Sequence, residues 1–392
     1  MEKRSLRSAT VRGRRVLLRV DYNVPLTDQG LVADDHRITE SLPTVQHLQT
    51  SMARTILISH LGRPNGTRDM RLSLRPVARR LSELLGQSVP LASDCVGIAA
   101  INAVSGLKNG EFLMLENLRF HPGEEANDPA FATQLSQLGE SFVQDAFGVL
   151  HRAHASTVGL PKRLPSCAGF LVEREVHELS KLRDHVEHPY VALVGGAKVR
   201  DKLPLLGSFL GRADRVLVGG SLAFPFLRVQ GAALGASSKE EGLDSAVTEF
   251  LESARQAGTE VVLPTDVVAL APSASEPVTV PVDQVPADAA VFDIGPETRR
   301  RFVKGLEGSR MVFWNGPLGK AEDPRFAEGT RAVLANLASV PGYHVSAGGD
   351  TARIAQELGV SGAFQYASTG GGAALEFVEG LELPGLAALP DA

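Results

Sequence analysis

The stretch Gly195-Gly196-Ala197-Lys198-Val199-Arg200-Asp201-Lys202 follows an apolar run at 191–194 that reads as a buried strand. Two glycines at a strand end let the backbone turn tightly and approach a ligand closely. Lys198 and Lys202 stand four apart, so on a helix starting here they share one face. Only 9 of the 40 basic residues are Lys, so two scarce Lys mark one strand-to-helix junction. Such junctions gather backbone N–H groups and the positive end of a helix dipole, which favour phosphate. Taken alone, the stretch also reads as a solvated first-turn pair after an ordinary glycine turn.

A second set of residues is cationic. Arg37, Arg63, Arg119 and Arg152 belong to four separate loops, three of them just past apolar runs. Arginine offers a planar fork of donors that matches phosphate and carboxylate oxygens. With 31 Arg in the chain, any one alone reads as a surface residue, and His60 alone as a hydrogen-bonded structural histidine. Together with His60, Asn23 and Asp21, the four arginines have the chemistry to make a basket for a small, highly anionic substrate. A third feature is Gly348-Gly349-Asp350-Thr351, which puts a carboxylate at a helix start. Magnesium on nucleotide phosphates takes one or two carboxylates, and Asp350 suits that role. Asp and Thr also favour helix caps, and the two readings are compatible.

These residues need a scaffold. Short apolar runs at 16–20, 55–59, 112–115 and 141–143 are followed by others at 191–194, 215–218, 260–263, 290–294, 311–314, 343–346 and 364–367. Helix-length segments separate them. The alternation predicts parallel βαβ units in open α/β sheets covered on both faces. Ligands then sit beyond the carboxyl ends of the strands. There the halves differ. Charged and polar groups follow the first set: Asp21-Tyr22-Asn23, His60-Leu61-Gly62-Arg63, Glu116-Asn117-Leu118-Arg119, and Asp145 leading to His151-Arg152. Glycines follow the second: Gly195-Gly196, Gly219-Gly220, Gly316-Pro317-Leu318-Gly319, Gly348-Gly349 and Gly370-Gly371-Gly372. Between them, 170–187 reads as one long helix, with Leu171, Glu175, Leu179 and Leu182 at near-helical spacing and an end before Pro189. It reads as the hinge between two domains, or as one more crossover helix of a single sheet.

The 392-residue length suits two domains, and 43% hydrophobic with 22% charged residues is ordinary for a globular protein. A net charge of -5 argues against nucleic-acid binding through bulk charge. Cys95 and Cys167 have no metal-ligand spacing and read as reduced thiols in a cytoplasmic enzyme. No apolar run reaches membrane-spanning length, and none serves as a signal sequence. G-x-x-x-x-G-K-[ST] is missing, and so is G-x-G-x-x-G after the first strand. A two-lobed anion-binding protein explains the arginines but not the glycines. A nicotinamide-linked dehydrogenase lacks its fingerprint.

Taken in order, the loops resemble those of the phosphoglycerate kinase family over nearly the whole chain. The resemblance rests on Arg19-Val20-Asp21-Tyr22-Asn23-Val24-Pro25-Leu26, Ser59-His60-Leu61-Gly62-Arg63-Pro64, Glu116-Asn117-Leu118-Arg119-Phe120 and His151-Arg152-Ala153-His154-Ala155-Ser156. The Gly195 to Lys202 stretch, Trp314-Asn315-Gly316-Pro317, Gly348-Gly349-Asp350-Thr351 and Ser368-Thr369-Gly370-Gly371-Gly372 continue it. The resemblance implies an α/β fold of two Rossmann-like domains, each a parallel sheet flanked by helices, facing across a hinge cleft. It implies a phosphoglycerate domain at 1–170, an interdomain helix at 171–188, a nucleotide domain at 189–372, and a segment 373–392 returning to the first. It further implies reversible phosphoryl transfer between 1,3-bisphosphoglycerate and ADP with Mg²⁺, by a cytoplasmic monomer without nucleic-acid or membrane partners. Asp21, Asn23, Arg37, His60, Arg63, Arg119 and Arg152 would hold the phosphoglycerate. Lys202, Glu322 and Gly348, Gly349, Asp350 and Thr351 would hold the nucleotide, with Asp350 on its metal. Arg37 and Lys198 would steady the phosphoryl group in transfer. Departures from the family pattern are Leu150, Val291, and the residues Lys320-Ala321 and Asp323-Pro324 around Glu322.

Overall fold

The computed structural model describes residues 3–392; the side chain of Asp350 lies outside the described part. The chain divides into two compact units, one reaching to His177 and including Glu382–Ala392, the other Glu178–Leu381.

The first unit is built on five parallel strands: β1 (Arg15–Arg19), β2 (Arg54–Ile58), β3 (Phe112–Met114), β4 (Ser141–Gln144) and β5 (Ser166–Ala168). Their order is β3-β2-β1-β4-β5. Side chains alternate across a strand, so β1 sends Leu18 into one core and Leu17 into another on the opposite face. Both faces are apolar, and the strands read as unbroken apolar runs for that reason. β5 is the strand the pattern does not announce, because Ser166-Cys167-Ala168 is short and only weakly apolar. The chain fills one side of the sheet through β3, then crosses to β4 on the other side of β1. The loops after β1 and β4 therefore flank the point where the order reverses.

The second unit repeats this plan with β6 (Tyr190–Val194), β7 (Arg215–Val218), β8 (Glu260–Val262), β9 (Asp266–Leu270), β10 (Val278–Pro281), β11 (Ala290–Ile294), β12 (Met311–Asn315), β13 (Tyr343–Ala347) and β14 (Tyr366–Ser368). Six of them form a parallel sheet in the order β14-β13-β12-β6-β7-β8, whose reversal lies between β6 and β12. One expectation fails here. The run 290–294 does not join this sheet. It becomes β11 of a separate antiparallel sheet, ordered β10-β9-β11. Burial along β11 alternates, and its register against β9 shifts between Val291 and Asp293. That pattern belongs to a sheet with one covered face rather than two.

The long helix is Phe170–Asp184, three residues shorter than the reading to 187. Leu171, Val172, Glu175, Leu179 and Leu182 are buried along it. The division between the units falls within this helix. Near the other terminus, Gly372–Glu379 stays with the second unit, where Arg212 Nη2 donates to the Val378 carbonyl at 3.0 Å. The last residues belong to the first unit: Arg4 N–H donates to the Pro390 carbonyl at 2.9 Å, and Lys3 pairs with Asp391 at 2.8 Å. No helix among the described residues is long and apolar enough to cross a membrane.

Candidate active site

In the first unit, the loops at the strand ends interlock through the arginines and their polar neighbours. Asp21, just past β1, accepts from Arg37 Nη1 at 2.6 Å and from the Asn23 N–H at 3.3 Å. Asn23 Oδ1 in turn accepts from the Gly62 N–H at 2.8 Å, pinning the loop after β1 to the loop after β2. Arg119, beyond β3, is buried; its Nη1 donates to the Gly62 carbonyl at 2.8 Å and its Nε lies 3.1 Å from Glu125. Arg152 Nε donates to His151 Nε2 at 3.2 Å. Asn23 and Arg63 are exposed, and Arg37 and Arg152 are partly so.

His60 reports how closely these cations gather. It is buried, and its imidazole is held well below the usual range, first by burial and then by Arg19, Arg119, Arg37 and Arg152. His154 is pushed down to about 4 by burial and by Arg119, Arg19 and Arg152. Both rings are therefore neutral near pH 7. Three of the four arginines around His60 were expected from sequence.

The fourth, Arg19, was not. It lies on β1 and is 1% exposed. Its Nε donates to Ser156 Oγ at 2.8 Å, its Nη1 to the Val20 carbonyl, and its Nη2 lies 3.2 Å from His60 Nδ1. Ser156 donates its hydroxyl and its N–H to the fully buried Glu124. A buried guanidinium needs such a counter-charge and such acceptors. The signal in the sequence is an Arg inside an otherwise apolar strand, Val16-Leu17-Leu18-Arg19-Val20.

The second unit presents backbone. At its switch point, Gly195 N–H donates to the Asn315 carbonyl at 2.8 Å and Gly196 N–H to the Pro317 carbonyl at 2.7 Å. A Cβ on Gly195 would lie 2.2 Å from the Pro317 carbonyl oxygen, and one on Gly220 would lie 2.8 Å from Gly196 N. Only glycine lets these three loops touch. Lys202 Nζ donates to the Gly195 carbonyl at 2.5 Å, placing its charge at the same turn.

Lys198 departs from its expected place. The helix runs Val199–Ser208, so Lys198 precedes it as the capping residue, with φ +60° and ψ 71°. It does not share a helical face with Lys202. A side chain in this left-handed region costs about 1 kcal/mol or more. The first N–H of the helix, Val199, donates to Glu240 at 2.7 Å. Further along, Gly348 caps the helix Gly349–Glu357, so Asp350 lies within its first turn and is not the cap. Thr351 is buried and accepts from the Gly316 N–H at 3.1 Å.

Beside these turns lies a cavity of about 350 Å³, whose lining includes Gly196, Ser237, Val291, Phe292, Pro317 and Glu322. Phe292 stacks on Phe326 with centroids 4.6 Å apart, and Lys320 Nζ lies 5.8 Å from the Phe292 ring centre. Val291 donates its N–H to Ser237 Oγ at 2.9 Å. Asp293, also in the wall, is pushed up to about 7 by burial and accepts from the Gly329 and Ile294 N–H groups at 2.7 and 2.8 Å. A mostly apolar slot beside backbone donors suits a flat ring joined to phosphates. Among the described residues, three metal-type donors also converge in the first unit: Asp94, Cys95 and His121. A 2.6 Å hydrogen bond between Asp94 and His121 accounts for their proximity.

The phosphoglycerate kinase family model matches residues 6–381. Phosphoglycerate kinase from Pelotomaculum thermopropionicum is 48% identical over 394 residues, covering 100% of each chain. The enzyme from Streptomyces coelicolor is 48% identical over 399 residues, covering 98% of each. Among solved structures, phosphoglycerate kinase from Coxiella burnetii aligns with a TM-score of 0.86 at 35% identity, covering 98% of each chain. The structure from Pyrococcus horikoshii aligns at 0.85 and 32% identity, covering 99% of this chain and 98% of that one. The chain belongs to the phosphoglycerate kinase family.

Proposed function

We propose that this chain moves a phosphoryl group reversibly between 1,3-bisphosphoglycerate and ADP, giving 3-phosphoglycerate and ATP in glycolysis. It is a phosphotransferase with a carboxyl group as acceptor. The observation that carries the reading is the interlocked set at the strand ends of the first unit, Arg37 on Asp21, Asn23 and Arg119 on Gly62, and Arg19 on the buried His60, in a chain of this family.

In the direction of ATP use, the acceptor carboxylate is already ionised near pH 7, since its pKa is roughly 4. No general base is required, and catalysis rests on positioning and charge neutralisation. Asp21, Asn23, Arg37, His60, Arg63, Arg119 and Arg152 hold the phosphoglycerate. Arg37 and Lys198 neutralise charge on the phosphoryl group in transfer. Lys202, Glu322, Gly348, Gly349, Asp350 and Thr351 hold the nucleotide, its base in the cavity that Val291 and Phe292 wall. Thr351, next to Asp350 in the first turn of its helix, is tied to the Gly316 loop, so this turn lies beside the glycine loops. A hard oxygen donor there fits Mg²⁺ on the nucleotide, and Asp350 would hold it. Bound Mg²⁺ supplies neutralisation of phosphate charge.

The proposed half-sites belong to different units, so transfer requires them to meet, and closure also keeps water from the acyl phosphate. The enzyme works as a cytoplasmic monomer that bends about the helix Phe170–Asp184 and the segment after β14. A coupled assay with 3-phosphoglycerate, ATP and Mg²⁺ tests the reaction, and absence of ADP formation overturns it. Asp350→Ala is expected to weaken Mg-ADP binding in calorimetry and leave 3-phosphoglycerate binding nearly intact. Unchanged Mg-ADP affinity removes Asp350 from the metal.

A further inference from the structure

We infer that Arg19 is a positioning residue: it fixes His60 as the neutral tautomer protonated on Nε2, so that the ring offers a donor to the anion in the basket. The inference rests on the phosphoglycerate reading for the anion's identity, and on geometry alone for the tautomer.

Guanidinium nitrogens only donate. Arg19 Nη2 stands 3.2 Å from His60 Nδ1, so Nδ1 must present its lone pair there. A proton on Nδ1 would set two N–H groups against each other. That excludes the imidazolium as well as the Nδ1–H tautomer, and leaves the proton of the neutral ring on Nε2. Asp21 Oδ1 is the competing partner for Nδ1, at 3.9 Å and beyond hydrogen-bond reach. The charges of Arg119, Arg37 and Arg152 oppose a second positive charge on the ring.

Arg19 cannot easily swing away. Its Nε is held by Ser156 at 2.8 Å and its Nη1 by the Val20 carbonyl. Ser156 is locked in turn by two hydrogen bonds to Glu124, and all three residues are at most 1% exposed. The row Glu124–Ser156–Arg19–His60 thus transmits one orientation from a buried carboxylate to the ring. The charge on Arg19 also serves the basket, while three of its five N–H groups are held by Ser156, the Val20 carbonyl and the His60 ring.

The test is nitrogen NMR on the full-length enzyme with ¹⁵N-labelled histidine, the His60 signals being assigned by their loss in His60→Gln. At pH 7, His60 Nδ1 is expected to resonate as an unprotonated nitrogen and Nε2 as a protonated one. A protonated Nδ1, or a charged ring, overturns the inference. Adding 3-phosphoglycerate is expected to shift Nε2 more than Nδ1. If the tautomer is as stated and neither nitrogen responds, the tautomer stands and the anion reading fails. Arg19→Met keeps the bulk of the side chain without its donors. It is expected to give mixed tautomers and to raise KM for 3-phosphoglycerate roughly tenfold, with little change in kcat or KM for ATP, the scale of one hydrogen bond to a charged group. A merely structural role would lower stability and disturb both substrates alike, leaving the tautomer unchanged. If Arg19→Met does not fold, the wild-type spectrum alone decides.

Discussion

The two units are variations on one plan with opposite chemistry at the same place. Each is a parallel sheet whose strand order reverses near its middle, and each gathers its loops at that reversal. In the first unit the gathered groups are side chains, Asp21, Arg37, His60, Arg119 and Arg152, held by ion pairs and by a buried layer beneath. In the second they are peptide groups, brought together because Gly195 and Gly220 have no Cβ to obstruct them. A site made of side chains is damaged by removing atoms. A site made of backbone is damaged by adding them.

The largest effect is expected from Arg37→Ala. Losing a charge-stabilising donor lowers kcat by roughly 10²–10³. A steady-state assay that finds kcat near normal and only KM raised contradicts the transition-state role. For the second unit, the matching experiment is an addition. Gly195→Ala puts a methyl 2.2 Å from the Pro317 carbonyl oxygen, and neither backbone can yield cheaply. It is expected to cost about 1–3 kcal/mol of stability, as overpacking does, and to weaken Mg-ADP binding at least tenfold. Phosphoglycerate affinity should hold. Equal loss of both ligands in calorimetry would erase the distinction between the units.

Each unit also buries a carboxyl pushed up to about 7 by desolvation, Asp145 in the first and Asp293 in the second. A raised pKa means the folded protein holds a proton that the unfolded chain has released above about pH 4. Such a group stabilises the fold fully below that pH, and its contribution is lost as pH rises through about 7. Asp145 Oδ1 accepts the Leu171 N–H at 2.9 Å, at the start of the long helix. Asn resembles the protonated form, so Asp145→Asn should flatten the fall in stability between pH 5 and pH 8. The expected difference is on the order of 2 kcal/mol, read from denaturant unfolding at both pH values. An unchanged slope would show that Asp145 stays ionised. The smallest effect is expected from Lys320→Ala. Lys320 lies over Phe292 at 5.8 Å, and losing that contact should raise KM for ATP only about two- to threefold.

Much of this is legible because strands buried on both faces appear as apolar runs, and the residues just past each run are then the candidates for the site. β1, β2, β3 and β4 and the loops after them were legible in this way. β11 does not disclose its place, because an apolar run of five residues looks the same in a parallel or an antiparallel sheet. The place of Lys198 just before its helix is not legible either, because a one-residue shift in a helix start leaves no mark on composition. Arg19 and its partners escaped for another reason. Glu124 and Ser156 are 32 residues apart and Ser156 is 137 from Arg19, so no local spacing joins them. Only the folded sheet brings a buried cation to its carboxylate.

The most direct test of the division between side-chain and backbone sites is amide hydrogen exchange with one ligand at a time. With 3-phosphoglycerate alone, slowing is expected in the loops at 21–26, 60–63, 117–121 and 150–156, and not at 195–202 or 316–320. Mg-ADP alone should give the reverse pattern. Slowing of the first set by Mg-ADP, or of the glycine loops by 3-phosphoglycerate, would contradict the assignment of one substrate to each unit.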